Sequence, residues 1–421
     1  PGWFVAMFRF IRQRIKRLFN KLETGLDPND RRTVGSEGMT NVPLATYKGR
    51  RNGTREYIRA VQKEYPDKLI VRMQTFVTRV LFDDDQRAIG VECLEGAHLY
   101  RADPNRTPES RPTATREYRC TREVILSGGA FNTPQLLMLS GIGPKEHLEE
   151  NGIQCRIDRP GVGRNLQDRY EVSVVSTMEK DFEILTGATF KPPLEGEEGD
   201  PCFQQWLKGE GVYTTNGAVT ALLLRSDPDL PAPDLFIFGM PGFFRGYYPG
   251  YSADVERARN FFTWAILKAY THNRDGVVRL RSKDPLETPD VNFHYFNEGS
   301  DPHGVDLKAL QYAVDFVRDM NRRNDAIAEE KIPGPKYQSE AEVAKWIMDN
   351  AWGHHASCSA RIGRADDPMA VVDSRFRVIG TKGLRIVDAS VFPRIPGYFI
   401  VTPIYMISEK ATDAILEDAA H

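Results

Sequence analysis

The 421-residue sequence predicts a mixed α/β (α+β) fold with a separate β-rich domain. Three observations support this fold class. A buried strand at 123–126 runs into a glycine turn that is followed by a helix start. Residues 170–296 show strands and loops with little helical periodicity, and a helical pattern returns at 307–317. Helices that flank strand-rich blocks are typical of this class.

The composition excludes several classes of protein. Apolar residues make up 41% and charged residues 27% of the chain, and the formal net charge is −2, so nothing favours a nucleic-acid partner. There is no apolar run of about 18 residues, which a membrane-spanning helix needs. The five cysteines are scattered without a CxxC spacing, so neither a disulfide framework nor a metal site is indicated. We therefore expect a cytoplasmic protein without a metal ion.

The first segment, 1–24, is predicted to be an amphipathic basic helix. Between Trp3 and Leu22, apolar residues recur at helical spacing, and arginines and lysines fill much of the remainder. Such a helix suits peripheral contact with a membrane surface. It also suits docking of its apolar face on protein, and both alternatives stay open.

Short strands follow at 68–73, 76–82 and 88–93. These runs are rich in β-branched and aromatic residues, and the polar turn 83–87 separates the last two. The pattern predicts an antiparallel hairpin.

The strand at 123–126 is followed by the glycine turn Gly128–Ala130. Asn132 is then the predicted helix cap and Pro134 the early proline of the helix. A strand, a glycine turn and a helix start in this order bring backbone N–H groups to an anion, and small residues permit its close approach. The alternative is a plain tight strand-to-helix connection.

Two further helices are predicted toward the C-terminus. The sequence Ser339-Glu340-Ala341-Glu342 is a capping box, which marks a helix start. The apolar pattern over about 404–417 predicts the last helix.

The pair His354-His355 lies on a short glycine-flanked segment, 352–358. Histidine is the side chain that can hold or release a proton near neutral pH. The segment Val387-Asp388-Ala389-Ser390 follows, at the end of a short apolar run. Two ordinary histidines in a turn are the alternative interpretation.

Several motifs in the same order resemble those of the glucose–methanol–choline (GMC) oxidoreductases. The resemblance covers roughly residues 25–418. The matching segments are 128–143, 160–168, 274–285 and 384–393, with His355 at the position of the family's catalytic histidine.

The resemblance implies FAD as cofactor and oxidation of a primary or secondary alcohol to the carbonyl, with His355 as the base. It also implies part of a Rossmann-like FAD-binding domain and a β-rich substrate-binding domain covered by helices. The implied domains are 1–24, 25–168 (FAD), 169–350 (substrate) and 351–421 (a return to the FAD domain). The implied FAD contacts are Gly128, Gly129, Ala130, Asp388 and Ala389, with Val77 near the adenine.

One departure from the family pattern concerns the cofactor site. The family carries GxGxxG at the turn where a helix N-terminus holds the pyrophosphate, and this chain has no such motif. The chain is therefore interpreted as the C-terminal portion of a flavoenzyme. We expect it to need an N-terminal FAD-binding fragment or a second subunit as partner.

A second departure lies in the active site. The family usually has His or Asn eleven residues before the lysine of the final helix, and this position is Phe399, counted from Lys410. A phenyl ring neither accepts a proton nor donates a hydrogen bond. His354 or Tyr398 could substitute for the lost partner, and a more apolar pocket favours an aromatic or lipophilic alcohol. Another flavin-dependent reaction, by a lyase or decarboxylase, and a non-catalytic partner subunit are the alternatives.

Overall fold

The computed structural model describes residues 27–30, 35–257 and 259–420. The predicted basic helix at 1–24, with its membrane and docking alternatives, lies outside the described residues. Within the described part, no helix is long and apolar enough to cross a membrane.

The strands are short, and many belong to small sheets. In chain order they are β1 (Gly38–Thr40), β2 (Thr46–Tyr47), β3 (Arg50–Arg51), β4 (Thr75–Phe82), β5 (Ala88–Glu95), β6 (Ala114–Arg119), β7 (Val124–Leu126), β8 (Ile142–Gly143), β9 (Ile157–Asp158), β10 (Tyr170–Met178), β11 (Thr220–Leu224), β12 (Leu235–Pro241), β13 (Phe261–Lys268), β14 (Val277–Arg279), β15 (Asp290–Asn292), β16 (Ile327–Ile332) and β17 (Leu384–Ile386).

The α-helices in the described residues are α1 (Thr54–Glu64), α2 (Gly129–Leu139), α3 (Lys145–Glu150), α4 (Pro201–Leu207), α5 (Tyr251–Arg257), α6 (Val305–Arg322), α7 (Glu340–Asn350) and α8 (Val401–Ala419). Short 3₁₀ turns are formed by Glu183–Leu185, Val212–Thr214, Phe296–Glu298 and Ala389–Val391.

The chain forms two compact units, each built from three stretches of sequence. The first contains the described residues up to Leu69, Glu171–Ala269 and Leu307–Trp352. The second contains Ile70–Tyr170, Tyr270–Asp306 and Gly353–His421. The domain bounds inferred from the sequence stay predictions.

The first unit is organised around a six-stranded sheet in the order β1-β11-β12-β13-β10-β16. The indole of Trp264 on β13 donates to Asn321 of α6 at 3.2 Å, which fixes this helix beside the sheet. Helix α7 starts at the predicted capping box: Ser339 Oγ accepts from the Glu342 amide, and the Glu342 carboxylate accepts from the Ser339 amide. The two helices predicted for this region are confirmed.

The second unit contains the predicted hairpin, since β4 and β5 pair antiparallel and β6 extends them to three strands. In this unit β17 lies parallel to β7, with Ile386 opposite Leu126. Both side chains belong to an apolar core that also takes in Leu137 and Met138 of α2. The core therefore fixes α2 directly behind the end of β7.

A buried arginine ties the β7–β17 pair to the last helix. Arg385 on β17 is 3% exposed, and its guanidinium contacts Glu123 and Asp418, each at 2.6 Å. Hydrogen bonds from Arg385 and then Arg375 lower the pKa of Asp418 to about 2. Glu123 directly precedes β7, and Asp418 lies at the end of α8. The Arg385 side chain therefore joins the start of β7 to the end of α8.

Two local predictions are wrong. Residues 68–73 form no strand; Ile70 and Met73 are 66% and 79% exposed, so this run has no buried face to stabilise it. The helix after the glycine turn begins at Gly129 and not at Asn132. Asn132 lies inside the helix, where its amide donates to Tyr100 and Gln135.

Candidate active site

The glycine turn between β7 and α2 has a backbone that glycine favours. Gly129 has φ +78°, a conformation that costs other residues energy because of their Cβ. Apart from its chain neighbours and the backbone of its own helix, no atom of the described residues lies within 4 Å of the place where a Cβ on Gly129 would sit, so the turn faces open space. Gly128 is more confined, since a Cβ there would approach the Thr133 amide to 3.1 Å.

Asp388 holds this turn from a distant part of the sequence. Its Oδ2 accepts from the Gly129 amide at 3.0 Å and from Thr133 Oγ1 at 2.6 Å, and its Oδ1 accepts from the Ser390 amide at 2.7 Å. The Gly128 amide donates to the same Thr133 hydroxyl at 2.9 Å. The glycine motif and the Asp388 motif therefore form one hydrogen-bonded element.

The segment after the histidine pair binds both parts of this element. The Cys358 amide donates to the Ala389 carbonyl at 3.0 Å, and the Ala360 amide donates to the Ser390 carbonyl at 2.8 Å. Between them, Ser359 Oγ donates to the Ala130 carbonyl at 2.6 Å. The three motifs that were separate in the sequence thus meet at one place.

His355 is held by a buried carboxylate. Its backbone amide donates to Asp168 Oδ1 at 2.8 Å, and the Arg169 amide donates to the same oxygen at 2.7 Å. Burial raises the pKa of Asp168 to about 6, against the opposing effect of these hydrogen bonds. Because the bond uses the His355 main chain, Asp168 fixes the position of the residue and leaves its ring for chemistry.

The imidazole of His355 is neutral at neutral pH. The residue is 5% exposed, and burial, followed by the neighbouring His354 and Arg169, lowers its pKa to about 3. Arg169 is fully buried and donates to the Pro396 carbonyl, so its positive charge stays close by. A neutral imidazole in this position can accept a proton.

Two of the predicted site residues, His354 and Phe399, contact this ring, and Tyr398 precedes Phe399 in the chain. The rings of His354 and His355 are 4.1 Å apart between centroids, and His354 is the more exposed of the two. Phe399 presents its ring to His355 at 5.7 Å with planes 73° apart. Tyr398 lies 6.3 Å from Tyr270, measured between ring centroids.

Val77 is the predicted site residue that these contacts do not include. It lies half-buried on β4 opposite Cys93 of β5. Its neighbour Phe76 stacks on Tyr100 at 5.5 Å, and the Tyr100 hydroxyl accepts from Asn132 of α2 at 3.0 Å. The strand that carries Val77 is therefore linked to the first turn of α2.

The residues around the glycine turn fit a flavin nucleotide. The first amides of a helix, such as that of Ala130 in α2, have no partner within the helix and suit a phosphate. The open space beside Gly129 leaves room for a ligand backbone to approach. In the described part of the chain, the buried hydroxyl of Ser390 has no hydrogen-bond partner. Gly129, Ala130 and Ala389 are thus the residues that would hold FAD here.

Sequence reasoning missed the residues that connect the motifs. Asp168, Thr133 and Ser359 all lie in or next to recognised motifs, but no role was assigned to them. Each is at least 95% buried, and each bonds to a residue more than 180 positions away.

The comparisons with known proteins agree with this geometry. Two family models described as GMC oxidoreductase match residues 22–171 and 272–408. Oxygen-dependent choline dehydrogenase from Staphylococcus aureus is 32% identical over 385 residues, which are 90% of this chain and 61% of the relative. The chain therefore spans about 61% of the length of that relative.

Solved structures show the same fold. A formate oxidase from Aspergillus oryzae has a TM-score of 0.74 at 24% identity, covering 91% of this chain and 66% of its own. A fungal aryl-alcohol oxidase has a TM-score of 0.66 at 23% identity, covering 91% of this chain and 67% of its own.

The chain belongs to the GMC oxidoreductase family. The solved structures show the mixed α/β fold of this family, and FAD is the cofactor that the family binds. The match over residues 22–171 corrects the interpretation of the chain as a C-terminal portion alone, because it contains residues of both the N-terminal and the C-terminal family models. The matches give no support to a required second fragment or subunit.

Proposed function

We propose that this protein oxidises a primary or secondary alcohol to the carbonyl with FAD, and that His355 is the catalytic base. The main observation in support of this proposal is the set of hydrogen bonds from residues 358–360 to Ala130, Ala389 and Ser390. These bonds place the segment of the neutral imidazole against the two turns that would hold the flavin. A base and a hydride acceptor must flank the same carbinol carbon for this reaction, and this arrangement supports that requirement.

His355 takes the hydroxyl proton of the substrate. Its lowered pKa keeps the ring unprotonated at neutral pH, so the ring has a free nitrogen lone pair for this proton. FAD held at the turn of Gly129 and Ala130 would supply the acceptor for the hydride of the carbinol carbon. His354, with its ring 4.1 Å from that of His355, is the neighbouring polar group on the same segment.

The substrate proposed is an aromatic or lipophilic alcohol. Phe399 stands edge-on to His355 and offers only apolar contact there. Tyr398 and Tyr270 add aromatic surface nearby in the same unit. A small polar alcohol would meet no hydrogen-bonding group at position 399, whereas a benzylic ring would pack against the phenyl group.

The test is to mix the protein with benzyl alcohol or with methanol in the absence of oxygen. Reduction of the flavin is monitored as the loss of its visible absorption. The expected result is faster bleaching by benzyl alcohol. His355→Gln should reduce the rate by about 10²–10⁴-fold, the usual contribution of a positioned general base, while flavin absorption stays. His303→Gln is the matched control, since His303 is exposed in the same unit.

Each other outcome has a clear meaning. A His355→Gln variant that bleaches as fast as the unaltered chain would refute the role of His355. A flavin that is retained but bleached by neither alcohol would contradict alcohol oxidation. Flavin absorption that appears only when a second polypeptide copurifies would assign part of the FAD site to that partner.

A further inference from the structure

The first compact unit contains a cavity of about 610 Å³ that the proposed reaction does not use. Its walls come from β10, the loop after β12, the end of β16 with the turn that follows, and helix α7. None of the residues that line it belongs to the His355 site. The volume is in the range of pockets that bind small organic molecules.

The charged groups that line the cavity are all positive. They are Arg245, Lys331 and Lys336. Lys331 contacts the exposed carboxylate of Glu329, and Arg245 bonds to Tyr248 and lies within the electrostatic influence of Asp254, which is not part of the lining. The described lining therefore carries three positive charges and no negative one, which favours an anion.

Aromatic rings form the adjacent walls. The Arg245 guanidinium lies over the ring of Tyr248 at 4.5 Å, and the Lys336 ammonium lies over the ring of Tyr337 at 4.6 Å, measured to the centroids. Trp346 of α7 is 5% exposed and completes the apolar part. The rings hold the cations in place and also offer flat surface for a planar apolar group.

A buried hydroxyl also lines the cavity. Ser173 on β10 is 3% exposed, and its Oγ has no hydrogen-bond partner among the described residues. A buried polar atom without a partner is destabilising, and a ligand oxygen would satisfy it. Cations, rings and a hydroxyl in one enclosure are the donor set for an anion attached to an aromatic body.

We propose that this cavity binds a small aromatic anion, a carboxylate or a phosphate ester. The anionic head contacts Arg245 and Lys336, the ring packs against Trp346, and an oxygen of the ligand bonds to Ser173. This site lies wholly within the first unit, and the proposal does not depend on the proposed alcohol oxidation.

Isothermal titration calorimetry on the full chain tests the proposal, with benzoate and phenyl phosphate as probes of the two anion types. Benzyl alcohol is the neutral comparison, and inorganic phosphate lacks the ring. We expect at least one of the two aromatic anions to bind with a Kd at least about tenfold lower than that of benzyl alcohol or of inorganic phosphate. Benzyl alcohol lacks the anionic group and inorganic phosphate lacks the ring, so each comparison loses one interaction. No heat with either aromatic anion, or equal affinity for inorganic phosphate, would overturn the proposal.

Variants locate the binding. Arg245→Gln and Lys336→Gln should each weaken it by about tenfold, as expected for loss of a charge-assisted contact, and Ser173→Ala should weaken it by a smaller factor. Lys345→Gln, on exposed α7 surface beside Asp349, is the matched control and should bind as the unaltered chain does. Aromatic-anion binding that is unaffected by Arg245→Gln and Lys336→Gln would place the ligand elsewhere. Arg245 and Lys336 are exposed, so their variants keep the core and remain informative if Ser173→Ala fails to fold.

Discussion

Replacing Asp168 by asparagine would remove a buried charge and keep an oxygen that can accept from the amides of His355 and Arg169. Burial raises the pKa of Asp168 from its ordinary 3.8 to about 6. The folded chain therefore binds this proton more tightly than the unfolded chain does. The contribution of Asp168 to stability is full below pH 3.8 and is lost as the pH rises through about 6.

The size of the effect follows from these two pKa values. Between about pH 7.5 and about pH 4.5, protonation of Asp168 should add about 2 kcal/mol to the free energy of unfolding. Asparagine does not titrate, so Asp168→Asn lacks this gain. The free energy of unfolding of the unaltered chain minus that of the variant should therefore be about 2 kcal/mol larger at the lower pH.

Urea unfolding at the two pH values measures this difference. His355 has the opposite dependence: its lowered pKa makes the chain lose stability as the pH falls from about 6.5 toward about 3. That effect is present in both proteins and cancels in the difference. Asp84→Asn, in the exposed β4–β5 turn, is the control for charge removal alone. A difference that stays constant within about 0.5 kcal/mol would refute the reasoning about Asp168.

Three further changes test other parts of the site and its support. Gly129→Ala should lower the free energy of unfolding by about 1–2 kcal/mol, because its φ is +78°, and it should abolish flavin absorption. Gly152→Ala is the control: with φ +67° and equal free space it should lower the free energy of unfolding as much and keep the flavin. Phe399→Ala should uncover His355, raise its pKa and move the acid limb of the pH–rate profile upward, and an unmoved limb would contradict this. Arg385→Met should lower the free energy of unfolding by about 3 kcal/mol in urea, because Glu123 loses this partner and Asp418 keeps only Arg375; a loss below about 1 kcal/mol would be too small for this account.

Elements with strong local signals were predictable from the sequence. The hairpin of β4 and β5 follows from two β-rich runs around a polar turn, and α7 follows from the capping box at Ser339. The run at 68–73 carries the same β-rich composition but remains exposed. Strand formation depends on pairing and burial supplied by other parts of the chain, and composition does not report these.

The start of α2 shows the same limit in more detail. Asn132 has the residue type of a helix cap, and local propensity placed the helix start there. In the structure the distant Asp388 binds the Gly129 amide and the Thr133 hydroxyl, and this allows the helix to begin three residues earlier. A tertiary hydrogen bond thus overrides the local signal.

The chemistry of the site divides in the same way. Residue type and motif resemblance were enough to select His355, Gly129 and Asp388, because their functions depend on what those residues are. The role of Asp168 depends on where it is: its carboxylate meets the amide of a residue 187 positions later. The pKa of His355 likewise comes from burial and the nearby charge of Arg169. Properties that arise from burial and from contacts between distant segments are set by the packed fold, and for that reason the sequence identified the proposed base but not the groups that hold it in place and keep it neutral.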